Sequence, residues 1–318
     1  MKYILAVDFG YGDTKVVGIT SDGQIKHKFK FPSMVGITKK NEHINSTKIY
    51  DYKEHSYQVG ENASSLPSES LIDITEYKNL EYYAPLFLYH VLKQIKVKPD
   101  IVVTGLSKAQ LEQSGHFKAA VQDFEVNGEK IILDNVFVLP QGAGSKLTID
   151  KFGTHFPKQQ DEFGGASTFV GCDIGFNTLD MFKVDKGETD PSLFEGIERE
   201  GIMKIAIDVA KKVKEIHGRQ ITLHEAKEIL DTGIYKLRGQ KHPFDDYVQE
   251  IKKDYLKNLL SLIESKYGKI IDKCDFIFVS GGGSTIFKST DDNFIRVPET
   301  AHEFYNAIGF ALFGKARA

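Results

Sequence analysis

Cysteine and long apolar runs are scarce in this chain, and each shortage excludes a class of protein. Cys172 and Cys274 are the only cysteines among 318 residues, which gives neither a disulfide framework nor the ligand spacing of a zinc site. No window approaches the roughly 20 apolar residues of a membrane-spanning helix, and the N-terminus lacks the apolar core of a signal peptide. We therefore expect a cytoplasmic protein without membrane association.

A large charge of either sign is also missing. The formal net charge is -3 at pH 7, which argues against a protein that coats nucleic acid, so we expect no direct nucleic-acid binding. The composition of 41% hydrophobic and 27% charged residues is ordinary for a globular protein. A chain of 318 residues suffices for two domains with separate cores.

Strand and helix patterns alternate along the first half of the chain. Short apolar segments at 3–7, 15–20 and 24–31 predict an antiparallel meander of three strands. Apolar residues then recur at helical spacing from 84 to 95, and an apolar strand follows at 101–104. Helices that alternate with buried strands are typical of the α/β class.

The second half restarts the same scheme. Strands are predicted at 168–172 and 178–184, and apolar stripes predict helices at 202–216 and 248–262. We expect a last helix from 301 to about 315. Both halves therefore begin with a strand, a loop and a second strand.

The loop after the first strand of each half contains the same Asp-x-Gly pattern. Residues 8–15 read Asp-Phe-Gly-Tyr-Gly-Asp-Thr-Lys, and residues 173–180 read Asp-Ile-Gly-Phe-Asn-Thr-Leu-Asp. Each loop joins a carboxylate at a strand end to glycine, which lets the backbone approach a ligand, and to a hydroxyl residue that can donate to phosphate. A single Asp-x-Gly is usually an ordinary turn, but two such loops predict a phosphate clamp divided between two halves.

Three further segments complete an ordered set of motifs: Pro-Gln-Gly-Ala-Gly at 140–144, Val-Ser-Gly-Gly-Gly-Ser at 279–284 and Asn-Ala-Ile-Gly at 306–309. Together with the two loops, this order resembles the five-part nucleotide site shared by actin, heat-shock chaperone ATPases and sugar kinases. Within that superfamily the chain is similar to the prokaryotic actin-like proteins of the ParM/StbA type.

The resemblance implies two ribonuclease-H-like (actin-fold) domains with a nucleotide cleft between them. Domain I would contain residues 1–160 and 300–318, and domain II would contain residues 161–299. The polar stretch from about 36 to 76 is interpreted as a small subdomain inserted into domain I.

The resemblance also implies roles for individual residues around ATP or GTP with Mg2+. Asp8 and Asp173 would hold the metal mostly through its waters, which suits an ion that keeps part of its hydration shell. Lys15 would pair with the phosphates, and Gln141 would orient the attacking water. Because a neutral amide can position a water but hardly deprotonate it, we expect slow turnover from the catalytic set Gln141, Asp173 and Asp8.

The remaining nucleotide contacts fall into four groups. The first loop offers Gly10, Tyr11, Gly12, Asp13, Thr14 and Lys15, and the second offers Gly175, Phe176, Asn177 and Thr178. In the resembled family, the turn that matches Gly281, Gly282, Gly283 and Ser284 holds the adenosine. The candidates for the ribose contact are Glu198, Gly201 and Lys204. No side chain identifies the purine base.

Two functions from different classes fit these motifs. The first is a nucleotide-hydrolysing protein that assembles head to tail with itself and segregates plasmid or other DNA through a DNA-binding adaptor protein. The second is a small-molecule kinase of the same fold, acting on a sugar or an acyl group. A kinase needs a carboxylate base beside an acceptor pocket, whereas this chain has Gln141 at the water-facing turn, so the sequence favours the filament.

Overall fold

Two five-stranded sheets of the same topology organise the chain. The computed structural model describes residues 1–38, 49–153, 167–287, 289, 294–300 and 302–318. In chain order, the first half contains β1 (Tyr3–Phe9), β2 (Asp13–Thr20), β3 (Ile25–Pro32), β4 (Val35–Thr38), β5 (Tyr50–Tyr52), β6 (His55–Val59), β7 (Leu71–Ile72), α1 (Tyr77–Ile95), β8 (Ile101–Leu106), α2 (Ser114–Gln122), β9 (Asp123–Val126), β10 (Glu129–Ile132), β11 (Val136–Pro140) and α3 (Ala143–Phe152). The second half contains β12 (Phe169–Ile174), β13 (Thr178–Asp185), β14 (Glu188–Glu198), α4 (Met203–His217), α5 (Leu223–Thr232), β15 (Ile234–Leu237), β16 (Gln240–Pro243), α6 (Asp245–Ile271), β17 (Phe276–Ser280) and β18 (Ile295–Arg296), and the chain ends with α7 (Tyr305–Lys315).

The strand orders of the two large sheets correspond one to one. The first sheet has the order β11-β8-β1-β2-β3, and the second has the order β18-β17-β12-β13-β14. In each sheet three strands form an antiparallel meander and two more add in parallel beside the first strand. The equivalent order places the β1–β2 loop and the β12–β13 loop at equivalent positions. The predicted α/β class with two related halves is confirmed.

Strand β1 is buried on both faces, which explains its continuous apolar sequence. Leu5 and Val7 belong to the core of the first half, whereas Ile4 and Ala6 point to a second apolar layer between the two halves. That middle layer includes phenylalanines of the second sheet and the apolar face of α7. A third cluster forms the core of the second half around α4, α5 and α6.

Helices α3 and α7 cross in the middle layer at a pair of glycines. A Cβ atom on Gly309 would lie 1.8 Å from the carbonyl oxygen of Gly144, so this crossing requires glycine at 309. Helix α7 packs on β1, β2 and β8 of the first sheet, which supports its assignment to domain I. The domain bounds stay a prediction, because the boundary at 160 falls in 154–166, outside the described residues.

The stretch predicted as an inserted subdomain contains a separate four-stranded sheet with the order β5-β6-β4-β7. Strands β5 and β6 form a hairpin within it, while residues 39–48 lie outside the described part of the chain. Among the described residues, no helix combines the length and the apolar character that crossing a membrane requires.

Three details of the predicted secondary structure were wrong or incomplete. Helix α2 was missed because only Phe117 and Val121 anchor it, which is too few apolar residues for a periodic pattern. The β15–β16 hairpin was also missed; its turn places Arg238 and Gly239 at positive φ. The last helix begins at Tyr305 rather than at 301, because His302–Phe304 forms a 3-10 turn.

Candidate functional site

A cavity of about 330 Å³ opens between the two halves, with both Asp-x-Gly loops on its wall. It contains most of the residues that the sequence predicted for a nucleotide site. The predicted residues that line it are Asp8, Gly10, Tyr11, Gly12, Asp13, Lys15, Gln141, Asp173, Gly175, Phe176, Thr178, Gly281, Gly282 and Gly283. Four segments that are distant in sequence therefore converge on one concave surface.

Pairing between β1 and β2 places a cation opposite the first carboxylate. Asp8 and Lys15 are direct partners in the ladder, and the Nζ atom of Lys15 lies 3.6 Å from Oδ2 of Asp8. The amide of Gln141 donates from Nε2 to Oδ1 of Asp8 at 2.8 Å. Because the Nε2 group of Gln141 already donates to Asp8, its Oε1 atom is the part of the side chain that can accept a hydrogen bond from water.

The second carboxylate, Asp173, is buried near the end of β12. Its pKa is raised from an ordinary 3.8 to about 7, mainly by burial and also by the nearby carboxylates of Asp8 and Asp180. Lys15 and a hydrogen bond from Asn306 act in the opposite direction. The site therefore contains more carboxylate than its own cations neutralise, so a bound cation would favour the ionised form of Asp173.

Lys15 is enclosed by these acidic groups. Burial on its own would lower the pKa of Lys15, but the carboxylates of Asp8, Asp13 and Asp173 outweigh burial and raise it. Lys15 is consequently a fixed positive charge on the cavity wall, as pairing with phosphate oxygens requires.

An ion pair on the cavity wall joins the two halves. The Nζ atom of Lys227 in α5 lies 2.7 Å from Oδ2 of Asp13 in β2, and Lys30 lies 3.8 Å from the same oxygen. Burial would raise the pKa of Asp13, but Lys227, with smaller effects of Lys15 and Lys30, lowers it overall. Asp13 is thus ionised and held by both halves.

The glycine turn after β17 brings backbone close to the second carboxylate. Gly281 has φ +87, and a Cβ there would lie 2.3 Å from Oδ1 of Asp173, so a larger residue would displace that carboxylate. A Cβ on Gly282 would meet nothing within 4 Å, so the turn leaves space on the cavity side. Gly281, Gly282 and Gly283 therefore line the cavity with backbone that no side chain covers.

Three predicted phosphate or adenosine residues point their side chains away from the cavity. Thr14 lies between Asp13 and Lys15 on β2, so it faces the opposite side of the strand, where its hydroxyl is 2.9 Å from that of Ser33. Asn177 donates to the carbonyl of Thr75 at 3.1 Å, and Ser284 donates to the carbonyl of Gly281 at 2.8 Å. None of these three residues lines the cavity, so the predicted ligand contacts of their side chains stay predictions.

The three ribose candidates also lie off the cavity wall. Glu198 accepts a hydrogen bond from Gln110 at 2.8 Å, and Lys204 pairs with Glu200 at 2.5 Å on the outside of α4. Gly201 packs against the second loop, where a Cβ would lie 2.5 Å from the carbonyl oxygen of Phe176.

Helix α5, rather than the start of α4, supplies the additional charged groups of the cavity. Lys227, Leu230 and Asp231 line the wall from one face of α5, and Lys252 of α6 lies beside them. A capping box of Thr222 and Glu225 starts α5, but no function was predicted for this segment from the sequence. The spacing of Lys227, Leu230 and Asp231 at i, i+3 and i+4 was the available signal. Other lining residues missed from the sequence are Phe9, Lys30, Leu80, Leu106, Ser107, Gln110, Ile202, Ile205, Thr285, Ile286, His302 and Glu303.

The donor set fits Mg2+ held through water. Among the described residues, no group of three or more His, Cys, Asp or Glu side chains is arranged to hold a metal ion by itself. Asp8 and Asp173 are the carboxylates of the two Asp-x-Gly loops on a cavity wall that also carries Asp13, Asp231 and Glu303, and Mg2+ usually takes one or two carboxylates together with waters and phosphate oxygens.

Comparisons with known proteins found two family models that match the chain. Residues 6–144 match the N-terminal domain of actin-like proteins, and residues 172–291 match the C-terminal part of the archaeal actin homologue MreB-like family. No curated protein sequence matches this chain.

Solved structures share the fold over the whole chain. A crystal structure of the archaeal actin homologue Ta0583 superposes with a TM-score of 0.76 at 18% identity and covers 99% of each chain, and the same protein was solved with ADP at a TM-score of 0.74. A non-polymerisable quadruple mutant of pCBH ParM reaches 0.74 at 21% identity, covering 99% of this chain and 100% of that chain. A 15-stranded ParM filament from Clostridium botulinum reaches 0.72 at 19% identity and covers 99% of each chain. At these identities the likeness shows the fold.

Proposed function

The chain belongs to the family of actin-like proteins, and from this premise we propose that it is a slow, Mg2+-dependent nucleoside triphosphatase whose nucleotide state controls assembly into filaments. The observation that carries the proposal is the convergence of both Asp-x-Gly loops, with Asp8, Lys15, Gln141 and Asp173, on one cavity between the halves. ATP or GTP would be the nucleotide, and the solved complex of the archaeal homologue with ADP supports nucleotide binding in this fold.

The two loops would hold the phosphates from opposite sides. Backbone N–H groups at 11–12 and 176–177 can donate to phosphate oxygens, because those of Gly10 and Gly175 already donate within the loops, and Lys15 adds a fixed positive charge. Bound Mg2+ would neutralise phosphate charge, with Asp8 and Asp173 holding its water shell. The turn at 281–283 would lie against the nucleoside.

Gln141 would orient the water that attacks the terminal phosphate. Its Nε2 group donates to Asp8, which fixes the amide plane and presents Oε1 for a hydrogen bond from water. An amide cannot accept a proton at neutral pH, so the residue supplies alignment without base catalysis. Slow turnover follows, which suits a protein that uses hydrolysis as a timer.

Nucleotide binding would favour assembly by closing the cleft. A triphosphate that contacts loops of both halves stabilises the conformation in which those loops are close, and the additional contacts to the terminal phosphate provide the free-energy difference. Closure would align the outer faces of the halves for a head-to-tail contact, and a heterologous contact that does not close on itself gives an open filament.

Similarity to a ParM filament supports this assembly, and we propose the inserted segment at 36–76 as part of the contact. Segregation of plasmid or other DNA through an adaptor protein would be the cellular use.

Sedimentation and negative-stain electron microscopy with ATP, GTP and their non-hydrolysable analogues test this function. We expect filaments at micromolar protein that form with triphosphate, persist with the analogue and disassemble after phosphate release. A protein that stays monomeric with every nucleotide, yet phosphorylates a small alcohol or acid, would overturn the filament function and establish the kinase alternative.

A further inference from the structure

Asn306, in the first turn of α7, connects two parts of the site that neither loop joins by itself. It is 4% exposed and contacts both the turn that follows Gln141 and the carboxylate of Asp173. We propose that Asn306 is a positioning residue, which fixes the Asp173 carboxylate relative to the Gln141 turn; the inference rests on the proposed nucleotide hydrolysis.

The oxygen of the Asn306 side chain caps helix α3 from another helix. Gly142 is the N-cap of α3 and has no side chain that could accept from the first-turn N–H groups. Oδ1 of Asn306 accepts instead from the N–H of Gly142 at 2.9 Å, from the N–H of Ser145 at 3.1 Å and from the Ser145 hydroxyl at 3.2 Å. The N–H of Gly142 follows directly after Gln141, so this contact fixes the backbone that carries the Gln141 side chain.

The nitrogen of the same side chain holds the carboxylate of the second half. Nδ2 of Asn306 donates to Oδ2 of Asp173, and both residues are buried. The orientation of the amide is determined by its surroundings, because a reversed amide would aim its N–H2 group at two backbone N–H donors and its oxygen at a carboxylate. One amide thereby satisfies donors on α3 and an acceptor on β12.

Few residue types can perform both tasks at this position. Leucine has nearly the same shape but neither donates nor accepts, and serine is too short to reach both partners. Removal of the amide would leave the Asp173 carboxylate without this donor and the first turn of α3 without its acceptor, so both groups could rotate away from their working positions. Supporting hydrogen bonds of this kind typically contribute about 10- to 100-fold to metal affinity or activity.

A matched pair of substitutions separates positioning from general packing. Asn306→Leu removes both contacts, and Asn306→Ser is the second variant if the leucine protein does not fold. Thr148→Val is the control: the Thr148 hydroxyl donates to the carbonyl of Tyr305 at 2.6 Å, so its loss weakens the same α3–α7 contact without touching Asp173.

The measurements are steady-state hydrolysis of ATP and GTP, and calorimetric titration of ADP with and without Mg2+. For the Asn306 variants we expect kcat to fall about 10- to 100-fold while KM changes by less than about threefold, and the gain in ADP affinity from Mg2+ to shrink about tenfold. The control should retain the wild-type kcat and Mg2+ effect at a temperature where it is folded.

Three outcomes would overturn the inference. Folded Asn306 variants with wild-type kcat and wild-type Mg2+ dependence would remove any positioning role, and losses matched by Thr148→Val would reduce the role to packing. A wild-type protein that binds ADP but hydrolyses neither triphosphate would contradict the proposed function, while the Mg2+ titration would still decide the role of Asn306. A wild type that binds no nucleotide would overturn both.

Discussion

The two Asp-x-Gly loops share one backbone plan but differ in the residue opposite each aspartate. Across β1 and β2, Asp8 pairs with Lys15, whereas across β12 and β13 the equivalent Asp173 pairs with Asp180. The first loop therefore places a cation beside its carboxylate, and the second places another carboxylate there. The two halves therefore share a strand topology but not the charges around their equivalent aspartates.

The difference assigns complementary tasks to the two loops. Burial raises the pKa of Asp180 to about 6, although the hydroxyl of Ser107 and the N–H of Lys108 from the other half donate to it at 2.7 and 3.0 Å. Asp173 likewise has a raised pKa, while Lys15 keeps its positive charge. We infer that the first loop supplies the cation for phosphate and the second supplies negative charge that a metal would neutralise.

The largest effect should come from removal of charge in the second loop. Asp173→Asn preserves the shape and can still accept from Asn306, but it removes the carboxylate that would organise the metal's waters. We expect a folded protein in which Mg2+-dependent hydrolysis falls at least about 1000-fold, since one group contributes to both metal position and charge. Phosphate release in single-turnover assays measures this loss, and hydrolysis at the parental rate would exclude Asp173 from the site.

The second-largest effect should come from the loss of the Gln141 amide, which donates to the Asp8 carboxylate of the first loop. Gln141→Ala should keep nucleotide affinity and slow hydrolysis by about 10- to 1000-fold, because a water loses its orienting partner. Stopped-flow binding of a fluorescent nucleotide, combined with hydrolysis assays, separates the two quantities. Weakened binding with unchanged hydrolysis would contradict the water-orienting role.

The sequence predicted the two loops and their strands because both signals are local. A strand ending in Asp-x-Gly is recognised from consecutive residues. The second strand was predicted only from residue 15, so alternation along it did not reach Thr14, whose side chain faces Ser33 rather than the cavity. The positions of both loops were therefore predictable from the sequence, whereas the directions of the Thr14 and Asn177 side chains were not predicted.

The contribution of α5 was not predictable from local patterns. Lys227 is 214 residues from its partner Asp13, so only the packing of the two halves brings them together. The ribose candidates near the start of α4 followed from resemblance, and the position of that helix directs Lys204 to the outside. The cap that Asn306 provides for α3 is equally non-local, because Gly142 lacks a capping side chain and the acceptor comes from another helix.

The raised pKa of Asp173 leads us to expect a smaller effect, on the stability of the protein without nucleotide or Mg2+. Between pH 4 and 7 the folded state binds more protons than the unfolded state, because the pKa of Asp173 is about 7 in the folded protein and an ordinary 3.8 in the unfolded chain. The free energy of unfolding should therefore decrease as pH rises through this window, by on the order of 2–4 kcal/mol. Urea denaturation at pH 5 and pH 7.5 measures the decrease, which should be smaller in Asp173→Asn. Equal decreases in both proteins would show that Asp173 does not titrate in this range.

The smallest effect should come from the ion pair between Asp13 and Lys227 on the cavity wall. Asp13 and Lys227 are both largely shielded from solvent, and their 2.7 Å contact joins β2 of the first half to α5 of the second. Lys227→Met retains the apolar stem but removes the charge, so the cleft should open more often while the phosphate contacts persist. We expect nucleotide association and dissociation to accelerate together by about fivefold, which corresponds to about 1 kcal/mol and leaves Kd nearly constant.

Lys236→Met is the matched control, because Lys236 pairs with Glu228 of the same half at 3.3 Å and does not line the cavity. Unchanged rate constants in Lys227→Met, or an equal acceleration in the control, would show that the ion pair does not hold the two loops together.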